Sequence, residues 1–453
     1  MIMSPGVGYL YSGLLRRKNA LSMLWLAMCV YAVISFQWFF WGYSLTFSST
    51  GSKFIGDLSN FGLMGVLDAA SAGSNRVPAI VYCIFQLTFA TITPVIAIGG
   101  SAERGRLGPL LIFVFCWATL VYDPVAHWTW SPNGWGYIWG VYDFAGGGPV
   151  HMTSGVAALC MDIYLGKRRG YGTEKLAYRP HSVSHIVLGT VLLWFGWFGF
   201  NGGSELAANY RAAQACIVTN LAASVGGLTW MFIDWFYSRR WSAVSFCSGA
   251  ITGLIGITPA AGYVGSPAAV AIGVVTVFAA NYATKLKHIF RFDDALDVFS
   301  THGVGGFVGA LLTGLFADSR VVEFDGFSVI SGGWINHYYV QLGKQLANAC
   351  AICAYTAVMT FIILIIIDHI PGCALRASEE AEIIGIDEEE CGETSYDFAY
   401  VNRDVENPNE HREWIAAKEA AATNSPSFDT ASLRGGGVPA EKGADRDHVA
   451  QQV

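Results

Sequence analysis

Two histidines in this chain each stand eight residues after an aspartate. One pair is Asp143 and His151 in DFAGGGPVHMTSGVAAL; the other is Asp294 and His302 in DALDVFSTHGVGGFVGAL. Imidazole can accept, donate or relay a proton near neutral pH. A carboxylate can hold a cation or cap a helix. Both pairs open apolar runs, so the chemistry they suit is proton movement or the binding of a small polar species inside a membrane. A lone intramembrane histidine usually hydrogen-bonds a neighbouring helix. Two at matching places point to a pathway, because ionisable groups at that depth are costly. Asp143 and Asp294 are expected to cap their helices and shape the site rather than touch a substrate, and Asp297 to be structural. At helical spacing from His151 come Ser154, Gly155 and Ala158, and from His302 come Gly305, Gly306 and Gly309. Such small-residue stripes let helices approach closely, and Gly249 and Gly253 repeat the spacing. No third close ligand and no nucleophile motif accompany the His/Asp set, so a metal-dependent membrane enzyme is disfavoured and no metal or cofactor is expected.

The elements that carry these residues follow from composition. Of 453 residues, 53% are hydrophobic and only 13% charged, against about 25% charged in soluble proteins. Long apolar runs recur near 20–47, 79–99, 110–130, 145–166, 182–202, 213–237, 242–261, 267–284, 298–317 and 341–370. This predicts an all-α polytopic membrane protein. The opening MIMSPGVGYLYSGLLRRKN is short for a span, and its basic residues follow the apolar run, unlike a signal peptide. It reads as the back half of a first helix, truncated here, which makes an intended eleven. The two Asp/His pairs then fall in the fifth and tenth spans, which run in opposite directions. That is the pattern of two inverted five-helix halves with a site at their interface, followed by a long eleventh helix.

Lys and Arg cluster after every odd span, at 16–18, 104–106, 167–169, 239–240 and 285–291. The alternate loops hold Lys53, Arg76, Arg211, Arg320 and Lys344. Positive charge marks the cytosolic side, so the N-terminus is expected outside and the tail in the cytosol. From Pro371 the tail has 18 acids and 7 bases, so the net charge of −7 comes from that region. Eight of the ten cysteines fall within predicted spans and read as small apolar packing residues. Cys350 and Cys353 form CxxC, but inside a long helix.

At this point the residues resemble a known family. DFAGGGPVHMTSGVAALCMDIYLGKRR is similar to the signature of the ammonium transporter (Amt/Mep/Rh) superfamily. WFGWFGFNGGS, ITPAAGYV, DDALDVFSTHGVGGFVG and AERGRLGP resemble it too, in order from Pro5 to about Tyr396. Fungal plasma-membrane ammonium permeases fit best. The resemblance implies eleven helices and a homotrimer with one pore per subunit. It makes His151 and His302 the twin pore histidines, and Phe89 and Phe200 the stacked outer gate. It assigns Trp130 and Ser204 to an external ammonium site, with Trp135 as an alternative to Trp130. It puts Gln86 and Trp197 near that site and makes Asp143 the acid beneath it. Retention of His151, where several fungal relatives have Glu, resembles the high-affinity subtype that also signals filamentous growth.

Three regions are expected. The resemblance makes residues 1–370 the transporter domain and 371–401 a structured cytosolic region that docks on inner loops, while beyond Asn402 a chain rich in Ala, Gly, Ser and charge reads as a disordered regulatory tail, 402–453. Tyr396 matches the docking pattern. Ser425, Ser427 and Ser432 are candidate phosphate acceptors, and a kinase or signalling partner would act there. Expected partners are ammonium or ammonia, the lipid bilayer and like subunits, with no nucleic acid. The alternatives are a sensor without transport and a neutral gas channel of the Rh type, the latter disfavoured by Trp130 and Ser204.

The residue types suit ammonium. Aromatic faces attract a small cation and a serine hydroxyl accepts one N–H. Carrying the ion whole through an apolar pore costs up to tens of kcal/mol before compensation. If ammonium titrates roughly like lysine, removing its proton at pH 7 costs only about 4 kcal/mol. Neutral ammonia can then cross between two imidazoles. Potassium has no proton to lose.

Overall fold

The computed structural model describes residues 1–396 apart from 174, 175, 177 and 178, together with Ala416. Ser425, Ser427 and Ser432 lie outside the described residues. The chain divides into one unit, Met1–Tyr396, and a second, Asp397–Val453, of which only Ala416 is described.

Among the described residues the regular structure is helical, with two isolated bridges, Ala70 with Pro78 and Gly105 with Arg376. The order is α1 (Met3–Leu14), α2 (Arg17–Phe47), α3 (Ala79–Ser101), α4 (Leu107–Trp139), α5 (147–165) and α6 (Val183–Gly202). There follow α7 (Tyr210–Ser238), α8 (Ala243–Ile257), α9 (Ser266–Phe290), α10 (Phe299–Phe316) and α11 (Val340–Asp368). Eight of these are long and apolar enough to cross a membrane, and α1, α5 and α8 complete the set. The chain is therefore a multi-pass membrane protein. Helix α1 packs along α6, and α5 packs along α10. Both pairings map onto themselves when α1–α5 is exchanged with α6–α10, as inverted halves require.

Glycines set the closest approaches. A Cβ on Gly155 would run into the backbone of Gly303, and one on Gly306 into the Gly147 carbonyl and the His151 Cβ. Helices α5 and α10 are thereby held backbone to backbone beside the two histidines. Gly249 and Gly253 meet Gly226 and Ala222 of α7 in the same way.

Among the described residues, five of the eleven helices widen into a π turn, with one residue more than an α turn, and a sixth such turn, Asp387–Cys391, lies beyond α11. The five are Trp38–Gly42 in α2, Ala118–Tyr122 in α4, Gly147–Met152 in α5, Phe198–Gly202 in α6 and Phe299–Val304 in α10. Such turns concentrate at functional sites. Three of them carry His151, Phe200 and His302.

Where the odd-numbered helices finish, buried charges join the loops. Glu103 bonds Arg16 and Arg168, each at 2.8 Å. Arg168 also bonds Asp293, and Arg104 bonds Asp162, both at 2.8 Å. Burial opposes the charge on Glu103, but the Arg16 and Arg168 guanidiniums outweigh it and hold its carboxyl at about 2. Residues 371–396 dock at this end. Asp387 accepts the N–H groups of Leu21 and Ser22, both at 2.8 Å, at the start of α2. Arg376 donates to the Leu165 and Lys167 carbonyls at 2.6 and 2.8 Å. The Tyr396 hydroxyl lies 3.4 Å from Nε2 of both His181 and His185. At the opposite end, His127 ties the last turn of α2 to the loop after it, with its ring nitrogens 2.8 Å from the Thr46 and Ser52 carbonyls. All ten cysteines are free.

Candidate functional site

At the end where the even-numbered helices finish, an open vestibule of about 630 Å³ narrows toward the centre of the bundle. Its wall includes Gln86, Phe89, Trp130, Asp143, Ser204 and Glu205. Trp130 meets the Phe89 ring edge-on at 5.4 Å and donates its indole N–H to the Asp143 carbonyl at 3.2 Å. Ser204 donates its hydroxyl proton to the Phe200 carbonyl at 2.7 Å, which leaves its oxygen free to accept. Gln86 donates to the Tyr82 hydroxyl at 3.1 Å, and its buried carbonyl oxygen has no partner among the described residues. An ionised ammonium, all donor, fits this set of ring faces and open acceptors. Trp135 does not line the vestibule. It packs on Trp128 and Trp139 instead, which leaves Trp130 as the tryptophan at the site.

The floor of the vestibule is closed by two rings. Phe89 on α3 and Phe200 on α6 lie 4.3 Å apart between centroids at 35°. Beneath them is a narrow apolar void of about 10 Å³, lined by Val150, His151, Trp197, Phe200, Ile251 and His302 among others. That is about the room one water needs. The His151 and His302 rings meet there through their Nδ1 atoms, 3.2 Å apart. Two bare nitrogens repel, so one Nδ1 carries the shared proton and the other accepts it. Nε2 of His151 has no partner among the described residues and is open to a molecule in the void. Trp197, expected beside the outer site, lies below Phe200. It stacks on His151 at 5.4 Å and donates its N–H to Thr258 at 2.9 Å. It therefore packs against the imidazole in the void rather than forming the vestibule wall.

The acids hold helix starts, as the spacing suggests. Asp143 accepts the N–H groups of Gly146, Gly147 and Gly148 at 2.7, 2.8 and 2.7 Å. Gly146 has φ of +113°, which an L side chain rarely adopts. Asp294 accepts from Val298 and Phe299, both at 3.0 Å. Asp297 pairs with Lys287 at 2.7 Å, outside the pore. Among the described residues no group of three His, Cys, Asp or Glu could hold a metal ion.

Sequence reasoning did not single out Tyr142, Tyr263 and Arg211. The two tyrosine rings stack at 5.0 Å in the vestibule wall. Arg211 sits near Phe144 and Tyr263 and is paired with Glu205 at 3.3 Å and Asp325 at 3.0 Å. Arg211 has a sequence signal, as one of the few cations on that side.

Comparison with known proteins bears on this geometry. The family model for the Ammonium Transporter Family matches residues 1–396. The chain is 54% identical over 396 residues to Ammonium transporter 1 of Schizosaccharomyces pombe, covering 87% of this chain and 79% of that protein. It is 50% identical over 403 residues to Ammonium transporter MEP2 of Saccharomyces cerevisiae, covering 87% and 81%. The crystal structure of Candida albicans Mep2 superposes with a TM-score of 0.80 at 51% identity, over 84% of each chain.

Proposed function

The chain belongs to the ammonium transporter family, and from that premise we propose how its residues carry ammonium and where. Ammonium enters the vestibule and rests against Trp130 and Phe89, with Ser204 and Gln86 accepting its N–H groups. Passage of the ion past the Phe89–Phe200 stack into an apolar void is opposed by desolvation, so the ion gives up its proton to water in the open vestibule and ammonia moves on. The open Nε2 of His151 and the shared proton of the histidine pair give ammonia a hydrogen-bonding station. If His151 donates through Nδ1, its Nε2 is an acceptor and the Nε2 of His302 a donor; the reverse tautomer exchanges these roles. The pair can thus hand a neutral molecule along, or move one proton, without a charged ring. Trp197 keeps the His151 ring in plane with this exchange.

The observation that carries the reading is the continuous series from vestibule to Phe89–Phe200 stack to His151–His302 pair. The protein acts in the plasma membrane as a homotrimer with a pore in each subunit, the vestibule outside and the tail in the cytosol. Residues 371–401 serve as a cytosolic region, docked through 371–396, and the serines beyond them serve a kinase. A sensing role beside transport is supported by the retained His151. It is also supported by likeness to a solved structure described as a Sensor Amt Protein, with a TM-score of 0.76 at 27% identity over 85% of this chain and 93% of that one.

The test is growth on low ammonium of yeast lacking its own ammonium permeases. Expression of this chain restores growth, and the His151→Ala, His302→Ala double variant does not. A chain that reaches the surface and supports no uptake would sink the transport reading and leave the sensor alone.

A further inference from the structure

Helix α11 belongs to neither inverted half, yet one buried face of it is polar. Gln341 and Gln345 are 0% and 1% exposed. The side chain of Gln345 uses its full hydrogen-bonding capacity. Its Oε1 accepts the Tyr142 N–H at 2.8 Å and the Gln341 Nε2 at 3.2 Å. Its Nε2 donates to the Tyr142 carbonyl at 2.7 Å and to the Ala310 carbonyl at 3.1 Å. The amide thus pairs with both backbone groups of Tyr142, as a neighbouring strand would, and ties that residue to α10, the helix that carries His302. Gln341 adds a bond to the Gly140 carbonyl at 3.0 Å.

What is held this way is the segment 140–143, which runs along the vestibule wall. The ring of Tyr142 stacks on Tyr263, and the next carbonyl, that of Asp143, fixes the Trp130 indole. We propose that Gln345 is a positioning residue for the outer cation site, setting Trp130 and Tyr142 through the backbone of residues 142 and 143. This rests on the assignment of that site to ammonium. Asp143 has its own three bonds to the glycine turn, so loss of Gln345 loosens the wall of the vestibule more than the histidine pair. The signature is therefore in recruitment of the ion.

The test is initial-rate ammonium uptake by the full chain in yeast lacking its own permeases, with rates divided by surface protein. Gln345→Leu leaves the Tyr142 N–H and carbonyl and one Gln341 N–H without this partner, a loss that raises the apparent KM about tenfold while Vmax per surface transporter stays near wild type. An unchanged KM, or a fall confined to surface protein and Vmax, overturns the proposal, since those are what a purely structural residue would produce. Gln345→Glu is read in parallel, in case the leucine variant does not reach the surface. A protonated carboxyl keeps one donor and one acceptor, an ionised one keeps no donor. Burial favours the neutral carboxyl, so this variant keeps part of the pairing and its KM lies between wild type and the leucine variant. A KM equal to wild type overturns the proposal too. Absence of uptake by the unsubstituted chain would remove the transport reading and this inference with it, whereas the outcomes above remove this inference alone.

Discussion

Replacing Asp143 with alanine tests whether the glycine turn at the head of α5 is held by one carboxylate. The substitution deletes the acceptors of three N–H groups at 2.7, 2.8 and 2.7 Å. A hydrogen bond to a charged group contributes about 1.5–3 kcal/mol. The residue lies at the vestibule wall, where water can take over part of the work, so the net loss is about 3 kcal/mol rather than the full sum. At 1.4 kcal/mol per factor of ten, the competent turn falls about a hundredfold in population. The His151 ring begins three residues after the last of those glycines and moves with them. Asparagine keeps an oxygen for two of the donors but aims its own NH2 at the third, and loses about 1 kcal/mol. Uptake at saturating ammonium, per surface transporter, is expected near about 1% of wild type for Asp143→Ala and between the two for Asp143→Asn. If Asp143→Ala reaches the surface and transports within a factor of two of wild type, the carboxylate is not what holds the turn.

Two further outcomes are expected. The folded carboxyl of Glu103 titrates at about 2, below the ordinary value, so its contribution of about 3 kcal/mol is complete above pH ~4.3 and is lost as pH falls through the unfolded value toward the folded one. Thermal melts of the detergent-purified protein should drop across that acid window, and Glu103→Gln should melt lower at pH 7 with a flatter acid limb; identical curves would refute the assignment. Gly306→Val would force its side chain into the Gly147 carbonyl and the His151 Cβ, at a cost of about 1–3 kcal/mol or more. It should abolish uptake by parting α5 from α10, and uptake at the wild-type rate from normal surface levels would contradict that contact.

How much of this was readable from residues alone differs by element. The Asp143/His151 and Asp294/His302 pairs stand out because charge and imidazole are conspicuous in apolar runs, and their capping geometry follows from helix-end chemistry. Phe89 and Phe200 could be chosen only through family resemblance, since aromatics are 14% of the chain and a gate phenylalanine looks like any packing ring. Trp197 was placed near the outer site by resemblance alone, and the structure puts it in the lining of the void below Phe200 instead of the vestibule wall, a difference of indole direction that residue types do not carry. Gln341, Gln345 and Asn348 carried a usable signal in their i, i+4, i+7 spacing on one face of α11. In a long apolar helix they pass as tolerated polar residues unless that face is drawn. The π turns left no trace, because widening a helix by one residue changes the backbone hydrogen bonds and not the residue types that compose it.

Those turns change what kind of variation the pore can absorb. Each holds one residue that an α turn has no place for, so the positions on either side are offset by about 100° from where uninterrupted winding would put them. Deleting a single residue within Gly147–Met152 or Phe299–Val304 lets the helix rewind, and the imidazole swings off the axis although no contact residue has been exchanged. Substitutions there are local injuries, whereas a one-codon loss closes the bulge itself: the flanking turns stay in phase while the residues inside it lose the positions the wider turn gave them. In related chains the lengths of these short stretches should therefore be held more strictly than their letters, and a codon deletion scan would reveal the pore axis where an alanine scan sees only scattered sensitivity.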